Sequence, residues 1–130
     1  MWICLSDSFL SIVAKDCGPD ELLVRARRPG DIERVIPDAK VFEQDGSDYQ
    51  FRAVVKRSRV SEAIAAEVVS IGYDNFKNSV KDHRLHEAFA AFWHEHARLQ
   101  PRRPYARSRP ATAPARKTTP ARRRADKQPV

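Results

Sequence analysis

The 130-residue chain carries 24 Lys and Arg against 17 Asp and Glu, and its net charge of +7 is unevenly placed. Residues 101–130 hold ten basic residues, one acid and six of the nine prolines, so this tail is +9 while residues 1–100 are −2. That division predicts one compact domain over 1–100 and a disordered Pro/Arg-rich basic tail over 101–130, and excludes a second domain or a spanning helix.

The apolar opening from Met1 to Val13 lacks a positively charged start and is broken by Asp7, so it does not read as a secretion signal. A cytoplasmic, reducing setting is expected, with Cys4 and Cys17 as small hydrophobes or thiols rather than a disulfide. The same opening, rich in β-branched and aromatic residues, reads as extended, with a bend or bulge at Ser6-Asp7-Ser8. Asp16-Cys17-Gly18-Pro19-Asp20 is a turn, and Leu22, Val24 and Ala26 then alternate as a half-buried strand.

Pro29-Gly30-Asp31 stops that strand, with Asp31 placed as the N-cap of a short helix carrying Ile32, Val35 and Ile36 and ended by Pro37. Val41-Phe42 forms a further extended piece, and Asp45-Gly46-Ser47-Asp48 a hairpin loop. In the next strand Tyr49, Phe51, Ala53 and Val55 point one way; Gln50, Arg52 and Lys56 point the other. Ser58 is placed as a helix cap, followed by a stripe of Val60, Ala63, Ile64, Ala66, Val68 and Ile71 that Gly72 closes. A last helix over about 82–99 carries Leu85, Phe89, Phe92, His96 and Leu99 on one face.

This order predicts an α+β two-layer sandwich. A mainly antiparallel sheet of four strands, or five, is covered by the two main helices, with one short helix besides.

Three blocks, MWICLSDSFLSIVAKD, ELLVRARRPGDIERVIP and YDNFKNSVKDHRLHEAFAAFW, resemble a family of small uncharacterised proteins of bacteria and their phages and plasmids. The resemblance spans residues 1 to about 100 and leaves out the tail. It implies a cytoplasmic protein of mobile or accessory gene content, and brings no activity, catalytic residue or cofactor with it.

The residues themselves point to no catalytic constellation, metal or cofactor. His83 and His94 share a helix side but lie ~16 Å apart along the axis, and His94 and His96 diverge by ~200°. His96 is expected to pack in the apolar stripe. There is no Gly-x-Ser-x-Gly elbow beside Cys17 or Asp7, and no phosphate-binding glycine loop.

Two binding surfaces are candidates instead. Arg25 and Arg27 on one strand, with Arg52 and Lys56 on another, would form a phosphate-binding row if they are coplanar and unpaired. The alternation puts Tyr49 and Phe51 on the opposite face, away from any such row. The tail adds Arg102, Arg103, Arg107, Arg109, Arg122, Arg123 and Arg124, a dispersed cationic chain suited to nucleic acid without sequence preference. Tyr73, Asn75, Phe76 and Lys77 between two helices, with Arg84 nearby, are candidates for anchoring a protein partner. In the competing reading Phe76 and Tyr73 plug the gap between the helices and Asn75 is a cap.

The function expected is therefore that of a non-enzymatic accessory protein. Its core binds an unknown protein partner, and its tail associates weakly and non-specifically with DNA or RNA. The alternatives are a dedicated nucleic-acid-binding protein using the basic strand face together with the tail, and a mobile-element-encoded inhibitor docking on a host protein complex. No membrane insertion is expected, and an exposed strand edge would permit a homodimer.

Overall fold

The structure is a computed structural model and describes residues 1–102. Five strands, β1 (Trp2–Cys4), β2 (Phe9–Val13), β3 (Glu21–Ala26), β4 (Phe42–Glu43) and β5 (Phe51–Lys56), form one antiparallel sheet in the order β1-β2-β3-β5-β4. Five helical segments complete it: α1 (Asp31–Val35), α2 (Arg57–Val69), α3 (Phe76–Ser79), α4 (His83–His96) and a 3₁₀ turn at Ala97–Leu99. The fold is α+β.

The bend at Ser6-Asp7 divides the opening into two strands, which pair with each other in the register Cys4↔Phe9. The sheet therefore has its fifth member. β3 is its centre, paired with β2 through Ser11↔Arg25 and with β5 through Arg25↔Arg52.

Strand alternation sorts the side chains into two faces. Leu10, Ile12, Val24, Ala26, Ala53 and Val55 lie on the first, packed with Ile32, Val35 and Ile36 of α1 and its C-terminal end, and with Val60 and Ala63 of α2. Cys4 and Phe9 belong to the second face, where they pack against Val80, Leu85 and Phe89 of the α3–α4 unit. The two longer helices thus divide the cover between the faces, because the β1–β2 corner is apolar on its second side as well.

Helix starts depart from the sequence reading in two places. Gly30, at φ 86°, is the N-cap of α1, and Asp31 is the first helical residue with its side chain turned inward. The left-handed conformation suits glycine, and it frees Asp31 for other bonds. α2 begins at Arg57, directly after β5, with Lys56 as N-cap and no side-chain cap; Ser58 is already helical. Its stripe is shorter than its pattern. Val60 and Ala63 are buried, whereas Ala66, Val68 and Ile71 are exposed, since only the first turns of α2 lie over the sheet.

Candidate functional site

The segment Arg28-Pro29-Gly30-Asp31 builds the junction between sheet and helices. β3 ends at Ala26, one residue short of the position opposite Phe9 in the β2–β3 register. The buried Asp31 carboxylate accepts the Phe9 N–H at 3.1 Å and hydrogen bonds from Arg28 Nη2 (2.9 Å) and Arg34 Nη1 (2.8 Å). Arg28 also donates to the Asp7 carbonyl at 3.0 Å and lies 3.3 Å from Asp82. One guanidinium therefore touches the β1–β2 turn, the start of α1 and the start of α4. Its bond to Asp31 is the main cause of its raised pKa. Asp82 caps α4 by accepting the Leu85 N–H at 2.8 Å; that bond, aided by Arg28, holds its carboxyl below the usual range.

The strand arginines are engaged differently: Arg27 stays exposed, and the buried Arg25 Nε has no hydrogen-bond partner among the described residues. Arg25 donates to Ser11 Oγ at 2.8 Å, and its guanidinium lies 4.5 Å from the Tyr49 ring centroid. Arg27 lies 4.2 Å from the same centroid. Arg52 is 7% exposed and donates to the Tyr49 carbonyl at 3.0 Å. Lys56 is exposed, opposite Glu21 across the strand pair. Tyr49 thus sits on the arginine side of the sheet, opposite to its expected place. It precedes β5, and the strict alternation begins only at Phe51. A buried aromatic under two guanidiniums is a cation–π arrangement that fills the face rather than opening it.

Between α2 and α4, Asn75 is the N-cap of α3, accepting the Asn78 N–H at 3.1 Å. Phe76 stacks between Tyr73 (5.8 Å) and Phe89 (5.5 Å). Lys77 Nζ lies 3.9 Å from the Trp93 ring centroid, and the Lys77 carbonyl meets His86 Nδ1 at 2.9 Å. Of the five residues proposed for a partner, four therefore serve this small aromatic unit. Arg84 is exposed, and both its backbone N–H and its charge act on Asp82.

The feature that sequence reading missed lies next to Arg84. The stripe Leu85, Phe89, Phe92, His96, Leu99 is continuous in sequence, yet it is covered only at its start. Phe89 is 6% exposed against Phe9 and Phe76, whereas Phe92 is 47% exposed and Leu99 77%. His96 is exposed too, stacked on Phe92 at 5.6 Å rather than packed in a core. The last turns of α4 overhang the sheet. Beside the earlier turns of α4, Arg84 to Phe92, runs a groove of about 710 Å³ lined by Phe9, Leu85 and Phe89, by Trp2, Ala88 and Arg84, and by Arg28, Asp31 and Asp82. The helical periodicity was the available signal; the extent of the cover was not in it.

His83 lies 3.7 Å from Glu87 on the surface. Burial raises the pKa of Cys4, and Cys17 Sγ faces the Glu21 carbonyl at 3.5 Å. Among the described residues no three His, Cys, Asp or Glu side chains gather as a metal site, and no helix is long and apolar enough to cross a membrane. Arg102 is exposed. The other tail candidates, Arg103, Arg107, Arg109, Arg122, Arg123 and Arg124, lie outside the described residues.

Comparison with protein-family models, with curated proteins and with solved structures finds no match for this chain.

Proposed function

We propose that this chain is a non-enzymatic accessory protein. Its core docks a protein through the overhanging face of α4, and its basic tail associates weakly with nucleic acid. The observation that carries this reading is the contrast between two surfaces. Arg25, Arg27 and Arg52 are held by Tyr49 and Ser11. Phe92 and Trp2 stand out into solvent at a groove that both line, and Leu99 is exposed further along the chain. Large contiguous exposed apolar surface is characteristic of protein docking, while phosphate binding needs uncommitted cations. The largest concentration of cations in the sequence is the +9 tail.

The test is binding of a labelled duplex and a labelled single strand, over a salt series, by the full chain and by residues 1–100. The full chain is expected to bind both with a steep salt slope, about −0.9 per phosphate neutralised on duplex, and the 1–100 fragment to bind neither. A fragment that binds as tightly as the full chain, and loses binding on Arg25→Ala, overturns this reading and restores the strand face.

A further inference from the structure

We infer that the docking face of α4 receives a second copy of this chain, in an antiparallel α4–α4 pair. This rests on the reading of that face as a docking surface and names its occupant.

The charge pattern of the helix points to this occupant. Arg84, Ala88, Ala91 and Glu95 recur at steps of four, three and four, and all four are exposed. Eleven residues at 100° per residue bring Arg84 and Glu95 to within about 20° of the same side, roughly 16 Å apart along the axis. A cation stands at one end of the strip, an anion at the other, and two small residues between them. Such a strip is complementary to itself when reversed. With a two-fold axis midway between Ala88 and Ala91, Arg84 of each copy meets Glu95 of the other, and Ala88 faces Ala91. The alanines permit close approach of the two backbones. Antiparallel helices also set opposite macrodipole ends side by side. A parallel pair would place Arg84 against Arg84 and Glu95 against Glu95.

The apolar surface beside the strip fits the same arrangement. Phe92 adjoins Ala91 in sequence and edges the groove that Trp2 and Ala88 also line. Its half-exposed ring is placed to enter the equivalent groove of the other copy. An isologous contact of this kind closes at two copies and leaves no unsatisfied patch to propagate. The chain's own tail is the less suitable occupant. The groove lining carries Arg27, Arg28 and Arg84 against Asp31 and Asp82, and Arg28 already pairs with both acids, so a +9 tail would meet a lining of net positive charge with no uncommitted anion. Glu95 is held by Arg98 at 3.0 Å within its own chain, an exposed pair whose exchange for Arg84 of a second copy costs little.

The experiment is sedimentation equilibrium of the nuclease-treated full chain over a concentration series, for wild type, Arg84→Glu, Glu95→Arg and the double exchange. The expected result is a concentration-dependent dimer. Each single reversal weakens it roughly tenfold, since two attractive contacts become repulsive, and the double exchange restores it. A dimer indifferent to all three variants overturns the proposal and moves self-association to another surface, such as the β1 or β4 edge. A monomer at every concentration overturns it as well. In that case the emission of an added hydrophobic dye, compared between wild type and Phe92→Ala, separates the two readings. Emission that depends on Phe92 leaves the face open to a different protein, and its absence removes the docking face altogether.

Discussion

Arg28 Nη2 donates both to the Asp31 carboxylate at 2.9 Å and to the Asp7 carbonyl at 3.0 Å while Nη1 faces Asp82, so a single side chain joins three segments that are far apart in sequence. Asp31 is the less replaceable of the two partners. It is buried, and it satisfies the Phe9 N–H as well as two guanidiniums. Asp31→Ala leaves the Phe9 N–H without its acceptor and takes the shared carboxylate from both guanidiniums, Arg28 keeping only Asp7 and Asp82, and is expected to cost about 3–5 kcal/mol. Arg28→Ala leaves Asp31 its bond to Arg34 and is expected to cost about 1–3 kcal/mol. Urea unfolding of the two variants checks the order; equal losses would mean that Arg34 does not share the carboxylate.

Tyr49 is the support of the arginine face. Tyr49→Ala removes a buried ring and both cation–π contacts, with an expected loss of about 3–5 kcal/mol. Tyr49→Phe keeps the ring under Arg25 and Arg27 and is expected to stay within about 1 kcal/mol of wild type. Tyr49→Leu separates packing from cation–π attraction: a cost well above that of Tyr49→Phe shows that the ring's electrons matter. Thermal or urea unfolding reads all three.

The α4 N-cap gives a pH signature. The Asp82 carboxyl sits below its ordinary value because it accepts the Leu85 N–H and faces Arg28. Its unfolded value is the higher of the two, so the unfolded chain takes up the proton first as pH falls. The stabilisation is therefore complete above the unfolded value of about 4, and is lost as pH falls through the lower folded value. Asp82→Asn retains a capping oxygen and cannot titrate. The stability difference between wild type and Asp82→Asn should be constant at neutral pH and shrink below about pH 4. A difference that grows on acidification contradicts the assignment.

Phe89 and Phe92 share a stripe yet have opposite surroundings. Phe89→Ala is expected to cost about 3–5 kcal/mol, because Phe9 and Phe76 lose their common neighbour. Phe92→Ala is expected to stay within about 1 kcal/mol, its ring being half in solvent. Comparable losses in urea unfolding would show that α4 is covered along its whole length.

The sheet was legible where side chains alternate strictly. Leu22, Val24 and Ala26 mark β3, and Phe51, Ala53 and Val55 mark β5, because apolar residues two apart share one face of a strand, even though Leu23 and Arg52 on the other face are buried too. The loop at Gly46, with φ 75°, was legible from its turn residues. The helix pattern was legible as helix and misleading as burial. Leu85 through Leu99 and Val60 through Ile71 keep their spacing beyond the point where sheet lies beneath them, and periodicity says nothing of where a neighbouring layer stops. Asp31 read as a cap, since a short carboxylate before a helix usually is one. Only the tertiary meeting of Phe9, Arg28 and Arg34 turns it inward. The strand arginines read as an open row for the same reason, as the partner that fills their face, Tyr49, lies just outside the strand whose alternation was used to place it.

In the proposed function, the strand arginines serve the fold and nucleic acid meets the chain through its tail. Amide and arginine side-chain resonances of the full chain, followed during titration with a short duplex, test this most directly. The account predicts perturbed signals from Arg102 onward, with the Nε–H signals of Arg25, Arg27 and Arg52 unmoved and the Asp31–Arg28 junction silent. Progressive shifts at Arg25, Arg27 and Lys56 that saturate together would contradict it, and would make the sheet face the nucleic-acid site.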